Sequence, residues 1–235
     1  IDECPAVGLI NWSLQGQDRV TFVEEKAGSK LRAYHGEVVR RLIARDKHHP
    51  SVILWSLANE APTYETGAEA YFKEIAAVAR QCDPSRPLMI VENSRPRETR
   101  AAGFFDVIGV NRYNSWYEDF GRLEVIGPQL AADLEAWHDR FGKPIILTEF
   151  GADTVAGLHS DPPLMFSEEY QARMIEEFQR VIDNYPFVIG EHIWNFADFM
   201  TKQDVRRVIG NRKGVFTRQR QPKLAAHFLK KRWGG

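Results

Sequence analysis

Two glutamates stand where an apolar run turns polar. Val52-Ile53-Leu54-Trp55-Ser56-Leu57-Ala58 leads into Asn59-Glu60, and Ile145-Ile146-Leu147 leads through Thr148 into Glu149-Phe150-Gly151. Runs of this kind read as strands covered on both faces. Where parallel strands alternate with helices in a barrel, the C-terminal strand ends converge on one mouth. Two carboxylates held there about 5 to 5.5 Å apart can share one displacement: one attacks a glycosidic carbon, while the other protonates the leaving oxygen and then activates water. The plainer reading is that each glutamate caps the following helix or pairs with an arginine. Its weakness is that an unused carboxylate beside a core costs on the order of several kcal/mol.

Other chemistries find less support. Cys4 and Cys82 lie far apart without a CxxC or a Cys/His cluster, and the seven histidines show no metal-ligand spacing. No GxGxxG or GxxxxGK[ST] follows any apolar run, which removes the main phosphate-binding readings. No metal or other cofactor is expected. A formal net charge of -1 gives no electrostatic case for nucleic acid. No apolar run approaches the roughly 20 residues that a membrane-spanning helix needs. The first residues, Ile1-Asp2-Glu3-Cys4-Pro5, show no Met, basic region or cleavage pattern, so the chain is expected to start inside a domain, and they carry no address to a compartment.

The elements that would position the glutamates follow from periodicity. Strands are expected at 51–55, 88–91, 107–110, 145–148 and 188–194, with a sixth, mostly missing, ending at Ile1. Between them, one-faced helices fit 31–47, 68–80, 130–141, 168–184 and 224–233. Ser167 before Glu168 and Glu169 reads as an N-cap with an acidic first turn, and Pro222 stands near a helix start. This α/β alternation suits either a (β/α)8 barrel or an open doubly wound sheet. With no linker or repeat, residues 1–235 read as one domain, and the polar, mixed segment 9–30 as a long connection, either beside the active face or disordered in part.

Five motifs give a more specific expectation. Trp55-Ser56-Leu57-Ala58-Asn59-Glu60, Asn111-Arg112-Tyr113, Thr148-Glu149-Phe150-Gly151, Trp194-Asn195-Phe196-Ala197-Asp198-Phe199 and Asn211-Arg212-Lys213-Gly214-Val215-Phe216-Thr217-Arg218 occur in the order seen in glycoside hydrolase family 2. The chain resembles that family over essentially its whole length, and within it the enzymes that cleave β-glucuronides. The resemblance implies an incomplete (β/α)8 TIM barrel holding about strands three to eight, with Asn59-Glu60 after strand four and Glu149 on strand seven. It implies retention by double displacement, with Glu149 as nucleophile and Glu60 as general acid/base. One residue departs from the pattern: Ala61 stands where the family usually has proline, with Pro62 one place later.

The resemblance also implies how a sugar would be held. Asn59 would bond the 2-hydroxyl, Tyr113 the nucleophile, and Trp194 would form an aromatic wall. Asn211 and Lys213 would grip the sugar carboxylate by amide N–H and by charge, with Tyr117 and Arg207 beside them. From composition alone Arg206, Arg207, Arg212, Lys213, Arg218 and Arg220 also fit a solvated basic turn, and Tyr117 and Trp194 fit packing. A galactoside or mannoside specificity within the family, or a barrel that binds carbohydrate without cleaving it, are the alternatives. The implied partner is a β-glucuronide, as a small molecule or a glycan end, and the implied assembly is a homo-oligomer, commonly a tetramer.

Overall fold

The computed structural model describes residues 1–9, 20–23 and 28–234. Strands and helices alternate as β1 (Asp2–Glu3), α1 (Ser29–Asp46), β2 (Trp55–Asn59), α2 (Ala68–Cys82), β3 (Leu88–Glu92), β4 (Val107–Asn111), α3 (Ile126–Phe141), β5 (Ile145–Glu149), α4 (Glu168–Ile182), β6 (Val188–Glu191) and α5 (Leu224–Trp233). The strands are hydrogen-bonded in chain order. A doubly wound sheet reverses its order at a switch point, so sequential order selects the (β/α)8 barrel, here with six of its eight strands. Two compact units are distinguished, Ile1–Asn111 with Ala136–Ile146, and Arg112–Glu135 with Leu147–Gly235.

In the first unit β2 pairs in parallel with β1 and β3, Asp2 opposite Trp55 and Trp55 opposite Leu88, and β3 pairs with β4, Met89 opposite Val107. Successive strand side chains point to opposite faces. Leu88 and Ile90 therefore join the layer with Tyr71, Phe72 and Ile75 of α2 and Val39 of α1. Met89 and Val91 join Leu54, Val107 and Ile146 on the other face. Both faces are dry, which is why the strand sequence shows no polar alternation. Of the connection 9–30, residues 10–19 and 24–27 lie outside the described residues. Thr21 and Phe22 donate their N–H groups to Glu65, and the Phe22 ring packs on Tyr71 at 4.8 Å.

The strand bounds differ from expectation: the first strand, expected to end at Ile1, is Asp2–Glu3, and β3, β4 and β5 each run one residue further than expected. β2 begins at Trp55 rather than residue 51, because the Val52 carbonyl is taken by the Arg86 guanidinium at 2.6 Å. It runs on to Asn59, so the Asn-Glu pair sits at its end. β6 stops at Glu191 rather than 194, and Ile189 is 57% exposed, so it is not covered on both faces. Beyond it the Trp194 N–H turns to the Phe150 carbonyl at 3.0 Å. Helix α3 starts at Ile126 rather than 130; Pro128 falls in the first turn, where an N–H has no helical partner to lose.

In the second unit α4 buries Tyr170, Met174, Ile175 and Phe178, and Phe178 stacks on Phe150 at 4.9 Å, fixing the chain just past Glu149. The helix starts as expected, with the Ser167 hydroxyl accepting from the Tyr170 N–H at 3.2 Å. Ser167→Ala should lower stability by about 1 kcal/mol, read as a lower urea midpoint with an unchanged slope. An unchanged midpoint would show that the cap contributes nothing here.

Candidate active site

In the first unit, Glu60 follows directly on β2. Its backbone N–H bonds the Val91 carbonyl at 3.0 Å, and its φ of 52° is left-handed. That conformation costs a residue bearing a Cβ roughly 1–2 kcal/mol, and such strain persists where surroundings over-determine it, often at functional sites. The surroundings are tight. Ala61 is fully buried and its carbonyl accepts from Thr63 at 2.7 Å, so the turn forms with alanine where the family has proline. The Thr63 hydroxyl donates in turn to the buried Glu92 at 2.6 Å. Asn111, at the end of β4, donates its amide to Glu60 Oε1 at 2.7 Å and to Asn59 Oδ1 at 3.2 Å, locking the two side chains to one another.

In the second unit, Glu149 closes β5, and its backbone carbonyl accepts the Arg112 N–H at 2.8 Å. The Tyr113 hydroxyl donates to Glu149 Oε2 at 2.7 Å. Gly151 follows because nothing larger fits: a Cβ there would lie 2.4 Å from the Trp194 carbonyl oxygen. Trp194 itself is half-buried, edge-on to Phe199 with ring centres 6.1 Å apart.

The two motifs near the C-terminus are partners of each other. The Asn195 N–H bonds the Lys213 carbonyl and the Val215 N–H bonds Asn195, while Phe199 and Asn211 exchange N–H to carbonyl bonds. Gly214 permits the approach, since a Cβ there would sit 2.2 Å from the Asp198 nitrogen. Within this ladder Asn211 is buried, and its side-chain oxygen accepts from the Lys213 N–H at 3.1 Å.

Lys213 is no solvated lysine: its side chain has no exposed surface. Its ammonium bonds Asp153 and lies over Trp116 and Tyr117, 4.8 Å from each ring centre. Desolvation pushes it down to about 7, against the opposing pull of Asp153. Arg207 bonds the same carboxylate at 2.9 Å and donates to the Tyr117 hydroxyl at 2.5 Å. Burial pushes that phenol up from its ordinary value while Arg207 pulls it down. Tyr113, Tyr117, Arg207 and Lys213 thus form one connected cluster with Glu149. The basic turn suggested by composition is confined to neighbours such as Arg206 and Arg218.

Sequence reasoning passed over four polar residues that hold these groups. Asn111 lay inside a quoted motif but was given no task. Asp153 and Asp198 are short acids in otherwise apolar surroundings. Gln171, on the buried face of α4, donates to the carbonyls of Ala152, Lys213 and Gly214. A polar residue on a helix face that carries Tyr170, Met174, Ile175 and Phe178 was the signal that could have found Gln171, although Glu168 and Gln179 share that buried face. Among the described residues no group of three or more His, Cys, Asp or Glu is arranged to hold a metal, and no helix is long and apolar enough to cross a membrane.

Six strands hydrogen-bonded in chain order and alternating with helices define the class: a (β/α)8 barrel, a fold that carries its site at the C-terminal strand ends. The chain belongs to the family of glycosyl hydrolases family 2, whose TIM barrel domain model matches residues 1–235. It is 52% identical over 234 residues to a β-glucuronidase of Paenibacillus borealis, covering 100% of this chain and 39% of that protein. The structure of a β-D-glucuronidase of Dictyoglomus thermophilum is similar at a TM-score of 0.93 and 58% identity, covering 98% of this chain and 39% of the other. A β-glucuronidase from Ruminococcus gnavus in complex with D-glucuronic acid is similar at a TM-score of 0.82 and 45% identity, over 87% of this chain and 36% of that one. The chain therefore spans well under half the length of these relatives.

A second buried carboxylate separates scaffold from site. Asp198 accepts from Lys223 at 2.8 Å, Arg212 at 3.3 Å and the Gly214 N–H at 3.1 Å. Asp198→Ala would leave the enclosed Lys223 ammonium facing the carbonyls of Thr154 and Arg212 without this countercharge. Stability of the full-length protein should fall by about 3–5 kcal/mol in urea unfolding. A loss under about 1 kcal/mol would mean that the pair counts for no more than an exposed one.

Proposed function

We propose that the chain is the barrel portion of a retaining β-glucuronidase. The observation that carries this reading is the cluster in which Lys213 and Arg207 share Asp153 beside Tyr117, in the same unit as the Tyr113-bound Glu149. A glucuronide differs from a galactoside or mannoside at C6, where a carboxylate replaces a hydroxymethyl group. Telling them apart calls for cations and fixed N–H donors near that carbon. Two cations on one internal carboxylate leave positive charge to meet it. The names of the relatives point the same way.

In this mechanism Glu149 attacks the anomeric carbon, its second oxygen steadied by the Tyr113 hydroxyl. Glu60 gives a proton to the leaving aglycone oxygen, then takes one from the water that cleaves the glycosyl-enzyme bond, so configuration is retained. The chemistry requires the two carboxyl groups about 5 to 5.5 Å apart in the assembled site. Asn59, held by Asn111, presents its amide to the sugar 2-hydroxyl, a contact that strengthens as the ring flattens. Trp194 covers one sugar face. Asn211, Lys213, Arg207 and Tyr117 take the carboxylate.

In the full-length enzyme, Glu149→Gln should lower kcat for an aryl β-glucuronide by at least about 1000-fold. Activity within about tenfold of the unmodified enzyme would sink the nucleophile assignment. Lys213→Ala should lower kcat/KM for the aryl β-glucuronide by about 10- to 100-fold relative to any aryl β-galactoside hydrolysis. Equal losses on both substrates would favour a different sugar specificity in the same family. Binding of a glucuronide with no product released would favour a barrel that only binds.

A further inference from the structure

Asp153 lies four residues beyond Glu149, and its side chain is fully enclosed. Its Oδ1 accepts the Arg212 backbone N–H at 2.7 Å, and its Oδ2 accepts from Arg207 Nη1 at 2.9 Å and from the Lys213 ammonium. The charged and titratable groups facing Lys213 come from three segments. They are Asp153 and Glu149 from the end of β5 and its loop, Arg207 from the loop after β6, and Tyr113 and Tyr117 from the segment after β4. Ring faces attract an ammonium but replace little of its hydration. An enclosed lysine keeps its proton only so far as a carboxylate compensates for the lost water. Arg207 is charged in any case, and needs Asp153 for aim rather than for charge.

We propose that Asp153 is a positioning residue for recognition of the sugar carboxylate: it holds Lys213 charged and Arg207 aimed, and so couples capture of that carboxylate to a proton on Lys213. The inference rests on the glucuronide reading above. With Lys213 pushed down to about 7 by desolvation, part of the free enzyme carries a neutral amine near neutral pH. An incoming carboxylate raises the proton affinity of Lys213, and the proton comes from solvent to Nζ. The charged form is fully present below about 7 and is lost as pH rises through that value. Affinity for a glucuronide therefore weakens on the alkaline side. Neutralising Asp153 removes the group that holds the proton in place, so the same weakening begins at lower pH.

The test is the pH profile of KM and kcat for an aryl β-glucuronide in the full-length enzyme and its Asp153→Asn variant. At pH about 7.5 the variant should show KM raised at least about tenfold with kcat within about threefold. Its alkaline rise in KM should begin at least about one pH unit lower, and the affinity should recover toward pH about 5.5. Affinity and kcat falling together with an unshifted profile, or an unchanged KM, would overturn the proposal. Should Asp153→Asn fail to fold, calorimetry of D-glucuronate binding to the unmodified enzyme decides. Heats measured at pH about 7.5 in two buffers of different ionisation enthalpy should reveal uptake of a fraction of a proton, and no uptake overturns the coupling. An unmodified enzyme that neither cleaves the aryl glucuronide nor binds D-glucuronate would instead refute the glucuronide reading, before Asp153 is in question.

Discussion

A carboxylate without access to water must find its solvation in the protein, and the loops of the second unit are organised around that demand. Asp153 takes one backbone N–H and two cations; Asp198 takes one backbone N–H, Lys223 and Arg212. Asp153 ties the chain after β5 to the basic stretch before α5, and Asp198 ties the aromatic stretch after β6 to that same stretch, segments that sequence alone leaves unrelated. Removing a partner from such a set leaves a charge stranded at a cost of about 3–5 kcal/mol. The loops therefore have one low-energy arrangement rather than many. That is how segments with little regular secondary structure can hold side chains as firmly as a strand does.

In the first unit the same end is reached through the backbone. Glu60 takes a left-handed conformation pinned between the Val91 carbonyl and a buried alanine, and its carboxylate is held by Asn111 from the end of β4, two strands along the sheet. The buried Glu92 receives two hydroxyls, Thr63 and Thr99, at 2.6 Å each, and so fixes the loop that follows Glu60. A group positioned in advance spends little of the binding energy on its own ordering, which is the main advantage of a site built on strand ends.

Much of this was legible in the residues. Apolar runs broken by helical periodicity gave the alternation, and the Ser167 cap and α5 fell where expected. The two glutamates stood out because strands otherwise free of charge ended on them. What was not legible has a physical reason in each case. Arg86 delays the start of β2 by taking the Val52 carbonyl from a distant position, a contact that no local pattern encodes. Lys213 sits in a stretch as basic as any solvated turn; its burial follows from three aromatic rings and an aspartate whose sequence positions are far away. Asp153, Asp198 and Gln171 act on backbone and on other polar groups, and such contacts are properties of the folded chain. The choice between a barrel and a doubly wound sheet depended on strand order, which periodicity does not contain.

The use of two unlike cations on one carboxylate follows from their chemistry. Arg207 keeps its charge in any surroundings, and its flat fork can bond Asp153 through one nitrogen and the Tyr117 oxygen through another, so it fixes direction. A second guanidinium in the place of Lys213 would need more donors satisfied than a pocket walled by three rings offers. A compact ammonium needs fewer, and the ring faces stabilise it without demanding geometry. The consequence is a charge that depends on its neighbours. Buried among aromatics, Lys213 is a cation to the extent that carboxylates surround it, so on the glucuronide reading proposed above an anionic sugar would strengthen the charge that meets it. A neutral sugar does nothing of the kind. On that same reading, discrimination at C6 would come from the response of the site as well as from its fixed field, and the enclosure that makes Lys213 look structural is what would make that response possible.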